Sequence, residues 1–292
     1  MPEFIVSNEF DGICVKNFLR RHCDVSARLL TKLKRVDNGI TANGVPVRSV
    51  DILHAGDVVR LILPQDDRLV TPTALPVEVV YEDEAVVVFN KPPQMPVHPV
   101  HGYRLNTLAN AAAYYSRQKG EQYAFRAVNR LDKDTSGLVL TAKTGYAHTF
   151  LIGRTRKEYR ALCEGELTGS GTIDSPIRMK PGSIIQRETG EGGVRAVTHY
   201  RAQKTAFGHT LLSVTLETGR THQIRTHFAS IGHPLAGDDL YGGSRQYFPR
   251  QCLHCAVLTF VHPVTHETLT LAREPEDWLA ILEKKIRSVG YE

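Results

Sequence analysis

The sequence predicts an α+β protein. A large unit built on a mixed, mainly antiparallel sheet with flanking helices and loops follows a small α/β module. Three observations carry this expectation. Beyond residue 77, apolar runs of strand length outnumber helical patterns and do not alternate strictly with them, as a doubly wound parallel sheet would require. Residues 1–65 read differently, as two short helices and a hairpin. Between the two, residues 66–76 are punctuated by Pro72 and Pro76 and read as a linker. The expected division is therefore 1–65, 66–76 and 77–292. With 292 residues, 41% of them hydrophobic, the chain can bury one large core or two unequal ones.

Val15 to His22 and Ser26 to Val36 have helical spacing, with Ser26 as N-cap and Leu29, Leu30 and Leu33 on one face. Asn38-Gly39 ends this stretch. Ile40–Ala42 and Val45–Val47 flank Asn43-Gly44, a hairpin signal, because both turn positions need a positive φ. Gly56-Asp57 turns the chain into a strand from Val58 to Leu63. In the large unit, residues 78–81 and 85–89 read as strands around an acidic turn, and Leu105 to Tyr115 and Tyr146 to Arg156 as helices. Strands are expected at 159–166, 197–203, 209–217 and 253–260.

The net charge is +5, from 36 basic and 31 acidic residues, a bias too mild to diagnose a partner by itself. Its distribution says more. Lys16, Arg20, Arg21, Arg28, Lys32, Lys34 and Arg35 face the single acid Asp24 within residues 16–35, and Arg154, Arg156, Lys157 and Arg160 form a second concentration. Clusters of this kind suit a phosphate backbone. No apolar run approaches the roughly 18 residues of a membrane span, and the N-terminus lacks a secretory pattern, so a cytoplasmic protein is expected. Five scattered cysteines give no disulfide framework. Cys252 and Cys255 sit in a strand-like segment that would turn them to opposite faces, so a shared metal is not expected. His222, His227 and His233 lack the spacing of a metal-ligand set and a carboxylate to complete one, so no metal is expected there either.

The most informative stretch is residues 126–145. A loop dense in charge and hydroxyls, Asn129 to Ser136, runs into Gly137 and the apolar run Leu138-Val139-Leu140. That layout places carboxylates and cations on a short turn held by a rigid strand. Other blocks accompany it in order: Val88 to Pro99 with Asn90-Lys91-Pro92 and His98-Pro99, Lys157 to Gly165 around Tyr159, Thr218 to His227 followed by Gly232 to Asp238, and Leu253 to Ala256 followed by Phe260 to Thr265.

Together these blocks resemble the pseudouridine synthases, specifically the RluA-type branch, over essentially residues 78–275. The two basic helices and Gly-rich hairpin at the front resemble the α-L RNA-binding module known from a small-subunit ribosomal protein. The resemblance implies isomerisation of uridine within structured RNA to its carbon-linked isomer, a redox-neutral reaction that requires no cofactor and no metal. By resemblance, Asp132 is the catalytic carboxylate, in preference to Asp134. Arg225 is its counter-ion, and Tyr159 stacks on the extruded base with its hydroxyl placed for proton transfer to or from C5. Arg130 fills the gap that base leaves, since a stacked uridine reaches the site only after flipping. Relatives commonly carry His where this chain has Asn129. Arg220 and His222 are expected at the RNA together with Asn129, and Lys16, Arg20, Arg28, Lys32, Lys34 and Arg35 on the basic module. The expected partner is RNA, rRNA ahead of tRNA, bound by a monomer. A non-catalytic RNA-binding protein on the same scaffold is the rival. Intact Asp132, Tyr159 and Arg225 argue against it. A zinc deaminase would need Pro-Cys-x-x-Cys, whereas Gln251 precedes Cys252.

Overall fold

The computed structural model describes residues 2–63 and 70–288. The front part opens with β1 (Glu3–Ile5) and β2 (Ile13–Cys14), followed by α1 (Val15–Arg21) and α2 (Ala27–Leu33). It closes with β3 (Ile40–Ala42), β4 (Val45–Pro46), β5 (Ile52–Leu53) and β6 (Val58–Leu61). Ser26 caps α2 as expected, its Oγ accepting from the Leu29 N–H at 3.1 Å. Leu29, Leu30 and Leu33 are buried. Asn43, at φ 52°, and Gly44, at φ 81°, make the expected hairpin between β3 and β4. Strands β1, β6, β3 and β4 form a four-stranded sheet. The linker expectation at 66–69 lies outside the described residues. From 70 onward the segment is irregular but tied down: the Thr73 N–H donates to the Asn110 carbonyl and the Asn110 amide to the Thr71 carbonyl.

The large part begins with β7 (Glu78–Glu82), β8 (Val86–Lys91) and α3 (Leu108–Gln118), then β9 (Ser136–Ala142), α4 (Gly145–Leu151) and β10 (Thr155–Glu164). Next come β11 (Ser170–Asp174), β12 (Ile177–Met179), β13 (Arg187–Thr189), β14 (Val197–Ala206) and β15 (His209–Leu216). The chain ends with α5 (Gln223–Ser230), β16 (Leu253–Val261), β17 (Thr268–Ala272) and α6 (Glu276–Ser288). One sheet runs β11-β14-β15-β10-β16-β9-β8-β7, with β17 added to β16, and every pairing in it is antiparallel except β9 with β16. The α+β expectation therefore holds. Among the described residues no helix is long and apolar enough to cross a membrane.

Several boundaries differ from expectation, and capping explains two of them. α3 starts at Leu108 because Thr107 and Asn110 form a capping box ahead of it. The helix expected to reach Arg156 stops at Leu151. Gly153 turns at φ 79°, the Arg154 guanidinium and the Thr155 hydroxyl donate to the Phe150 and Leu151 carbonyls, and Thr155 starts β10. Helix C-terminal carbonyls need such donors, so residues that extend an amphipathic pattern here serve as caps.

The two parts touch. Phe4 packs edge-on against Tyr146 of α4 at 5.7 Å, and Arg154 pairs with Asp24 at 3.0 Å. The second basic concentration is thus partly structural, since Arg160 is also held, by Glu158 and Glu274. Cys255 and Cys252 are buried in separate apolar clusters, in keeping with opposite faces.

Candidate active site

The loop between Asn129 and Gly137 is fixed from behind by Lys91, Arg250 and His254. Lys91, at the end of β8, is fully buried, and its ammonium donates to the carbonyls of Pro92, Met95 and Lys133 at 2.8, 2.8 and 3.0 Å. Three N–H donors meet three acceptors. Burial, then the nearby Arg250, pulls the Lys91 pKa down to about 7, with Asp134 and Asp132 pulling it up. Arg250 donates to the Asp134 carbonyl at 3.0 Å and the Ser136 hydroxyl at 2.8 Å, while its other edge pairs with Asp277 of α6. Ser136 in turn donates to His254 Nδ1 at 2.8 Å, and His254 Nε2–H donates to the Arg273 carbonyl at 2.9 Å. That chain fixes the neutral tautomer, and burial pushes the His254 pKa down to about 4. Gly137, at φ 112°, lies against the Cys255 backbone so closely that a Cβ would overlap it. No other residue lets β9 run beside β16 here.

On the open side of this loop, Asp132 meets residues from three distant segments. Arg225 of α5 donates from Nη1 to Asp132 Oδ2 at 3.3 Å. Its remaining edge is a fork to Asp238, Nε to Oδ2 at 2.7 Å and Nη2 to Oδ1 at 2.8 Å, and its guanidinium lies 5.0 Å from the Tyr241 ring centroid. Burial opposes the charged guanidinium, but Asp238 and then Asp132 outweigh it and leave the Arg225 pKa raised. His222 Nε2 approaches Asp132 Oδ2 at 3.8 Å, and its Nδ1 bonds the Tyr241 hydroxyl at 2.9 Å. Burial is the first cause lowering the His222 pKa, with Arg225 and Arg187 adding and Asp132 and Asp238 opposing. His222 also holds φ 56°, ψ 21° at the start of α5, a strained setting for a residue with a side chain. Tyr159, in the centre of the sheet on β10, is buried. That burial, followed by Cys255 and Asp132, holds its phenol proton well above the usual range.

The resulting cavity, about 70 Å³, is lined by Arg130, Asp132, Tyr159, Arg220, His222 and Arg225 among others. A drug-sized or cofactor site commonly takes ~300–1,000 Å³, so this one suits a single flat ring pushed in from outside. Arg130 is exposed at the rim. Arg220 is exposed too, and its Nε donates to the Arg195 carbonyl at 3.0 Å.

The sequence-selected residues therefore divide. Asp132, Tyr159, Arg225, Arg130, Arg220 and His222 converge. Asp134 does not line the cavity. Asn129 corrects its expectation as an RNA contact: it is buried, its amide donating to the Leu138 carbonyl and its oxygen accepting from the Leu140 N–H. It pairs the loop to β9 as a backbone would. His227 is also buried, bonded to Thr198 and the Ser175 carbonyl, whereas His233 bonds the Glu164 carbonyl. Lys16, Arg20, Arg28, Lys32, Lys34 and Arg35 are all exposed on or beside α1 and α2. Asp238 and Tyr241 were missed, although Asp238 closes one of the quoted blocks.

Residues 85–230 match the family model for RNA pseudouridylate synthase, and the chain belongs to that family. It is 37% identical over 268 residues to an RNA pseudouridine synthase, YjbO, of Bacillus subtilis, covering 89% of this chain and 95% of that one. It is 35% identical over 303 residues to ribosomal large subunit pseudouridine synthase D of Xylella fastidiosa, covering 97% and 90%. The fold is shared with human RNA pseudouridylate synthase domain containing 1, at a TM-score of 0.59 and 21% identity over 75% of this chain and 97% of that one.

Proposed function

We propose that this enzyme converts uridine to pseudouridine within large-subunit ribosomal RNA, with Asp132 as the catalytic carboxylate. The observation that carries the role of Asp132 is its convergence with Arg225 and Tyr159 in a cavity sized for one ring. The reaction breaks the bond from N1 to the ribose C1′, turns the base, and joins C5 to C1′. A proton leaves C5 and one is gained at N1, so nothing is oxidised. Positive charge develops at C1′ as the first bond breaks, and Asp132 is the carboxylate placed to meet it. Arg225 orients Asp132 through a single hydrogen bond and not a fork, which leaves its other oxygen for the substrate. Burial holds the Tyr159 phenol proton at rest, and the ring is placed to stack on the base with its hydroxyl available for the proton exchange at C5. Arg130 at the rim takes the place of the extruded base.

Ribosomal RNA is favoured over transfer RNA by the relatives named for the large subunit. The exposed cations of α1 and α2, on a module similar to the α-L type, would hold the RNA backbone while a single chain acts from the cytoplasm. Mapping pseudouridines in total RNA from cells with and without this gene tests the assignment. Loss of one or more sites in large-subunit rRNA is expected. Loss confined to tRNA would replace the substrate, and an unchanged map would overturn the reading.

A further inference from the structure

The hairpin of β12 and β13 lies outside every motif that led to the active site, yet it is fastened to the cavity wall. The Arg187 N–H donates to the Tyr241 hydroxyl at 2.9 Å, the same hydroxyl that bonds His222, and the Gln186 amide donates to the Leu240 carbonyl at 2.8 Å. From Arg187 the hairpin projects about three residues, or ~10 Å, to its tip. There Ile184 is 89% exposed, the most exposed large hydrophobic side chain among the described residues, beside Ile185 at 57%. Single exposed apolar residues are ordinary. Two adjacent ones at the tip of a projecting turn are not.

The tip is also pre-formed. Ser183 Oγ accepts from the Ile185 and Gln186 N–H groups, and the Lys180 N–H donates to the Gln186 carbonyl. Among the described residues nothing covers the isoleucines, so their ordering serves a contact outside the chain. Two cations beside the turn suit a polyanion: Lys180 is exposed and Arg187 lies near enough to His222 to lower its pKa, whereas Arg178 is paired with Glu188 at 2.8 Å. The Arg187 guanidinium donates from Nη1 to the Met179 sulfur at 3.2 Å, and its buried Nε has no hydrogen-bond partner.

We propose that Ile184, backed by Ile185, is an apolar wedge that enters the base stack of the RNA next to the nucleotide drawn into the Asp132 cavity. Apolar side chains inserted between base steps unstack them, and extrusion of a base is resisted by that same stacking. The wedge would hold open from one side the gap that Arg130 fills from the other. This inference rests on the reading that RNA is the substrate.

Two variants of the full-length enzyme test it, with unmodified large-subunit rRNA transcript as the probe. Ile184→Ser combined with Ile185→Ser removes apolar surface without adding charge, at positions too exposed to threaten folding. Single-turnover conversion is expected to fall at least tenfold. Ile184→Trp should stay within about threefold of wild type, and the emission of the introduced indole should become at least threefold less accessible to acrylamide when the transcript is bound. The native Trp278, 1% exposed, contributes little to that signal. The proposal is overturned if the double variant converts within twofold of wild type, or if the introduced indole stays equally accessible with transcript bound. It is also overturned if that indole becomes shielded without RNA as protein concentration rises, which would mark a protein contact. Failure of wild type itself to bind or convert the transcript would instead remove the RNA reading beneath it.

Discussion

Asp238→Ala removes the carboxylate that holds Arg225 from behind, and the structure sets what should follow. Asp238 is fully buried and takes two of the three guanidinium contacts; Asp132 takes the third at 3.3 Å. Breaking a buried, forked ion pair from one side typically costs ~3–5 kcal/mol, because the remaining charge is left desolvated. For a unit of this size that is a fall in Tm of roughly 7–11 °C. The catalytic effect comes from reorientation. Freed from Asp238, the guanidinium can turn its fork onto Asp132 and engage both carboxylate oxygens. A displacement of ~1 Å at a reacting group can cost about 100-fold in rate, so kcat should drop roughly 100-fold while KM changes less than threefold. Asp238→Asn keeps one acceptor and should recover part of both losses. Calorimetry and single-turnover kinetics on unmodified rRNA transcript measure the two effects. A variant that melts within 1 °C of wild type and turns over within threefold would refute the account of Arg225.

Two further predictions concern pH. His254 is buried neutral with its pKa pushed down to about 4, against ~6.5 when unfolded. Between those values the unfolded chain binds the proton and the folded chain does not. Stability is therefore lost as pH falls from about 6.5 to 4, by about 3 kcal/mol, and urea titrations at pH 7 and 4.5 should show that loss shrinking in His254→Gln. An equal loss in the variant would contradict the assignment. Tyr159, whose phenol burial holds protonated, should contribute no ionisation between pH 8 and 10. A basic limb of the rate profile that disappears in Tyr159→Phe would show the phenolate to be in use.

The sequence exposed most of what is local and little of what depends on distant contact. The Asn43-Gly44 hairpin and the Ser26 cap follow from backbone preference at single positions, and both are present. The convergence of Asp132, Tyr159 and Arg225 was legible only through resemblance, because 93 residues separate Asp132 from Arg225. Asn129 was misjudged because a polar residue in a charged loop looks available, whereas its amide mimics a strand partner of β9. Arg250 carried no signal, because a lone arginine after Pro249 does not show that it will bond the Asp134 carbonyl and the Ser136 hydroxyl more than a hundred residues earlier, and Lys91 lay in a quoted block without its role being visible. Asp238 lay in a quoted block yet passed as part of a turn. Helix α6 was readable in retrospect, since Trp278, Leu279 and Leu282 share a helical face after Pro275.

The central claim is that Asp132 performs the chemistry while the rest of the site brings uridine to it. Asp132→Asn keeps the shape and the hydrogen bond from Arg225 but removes the charge. Single-turnover conversion of unmodified large-subunit rRNA transcript by this variant, measured alongside its RNA affinity, tests that claim most directly. Conversion should fall below detection with affinity within about threefold of wild type. Turnover near the wild-type rate would contradict it.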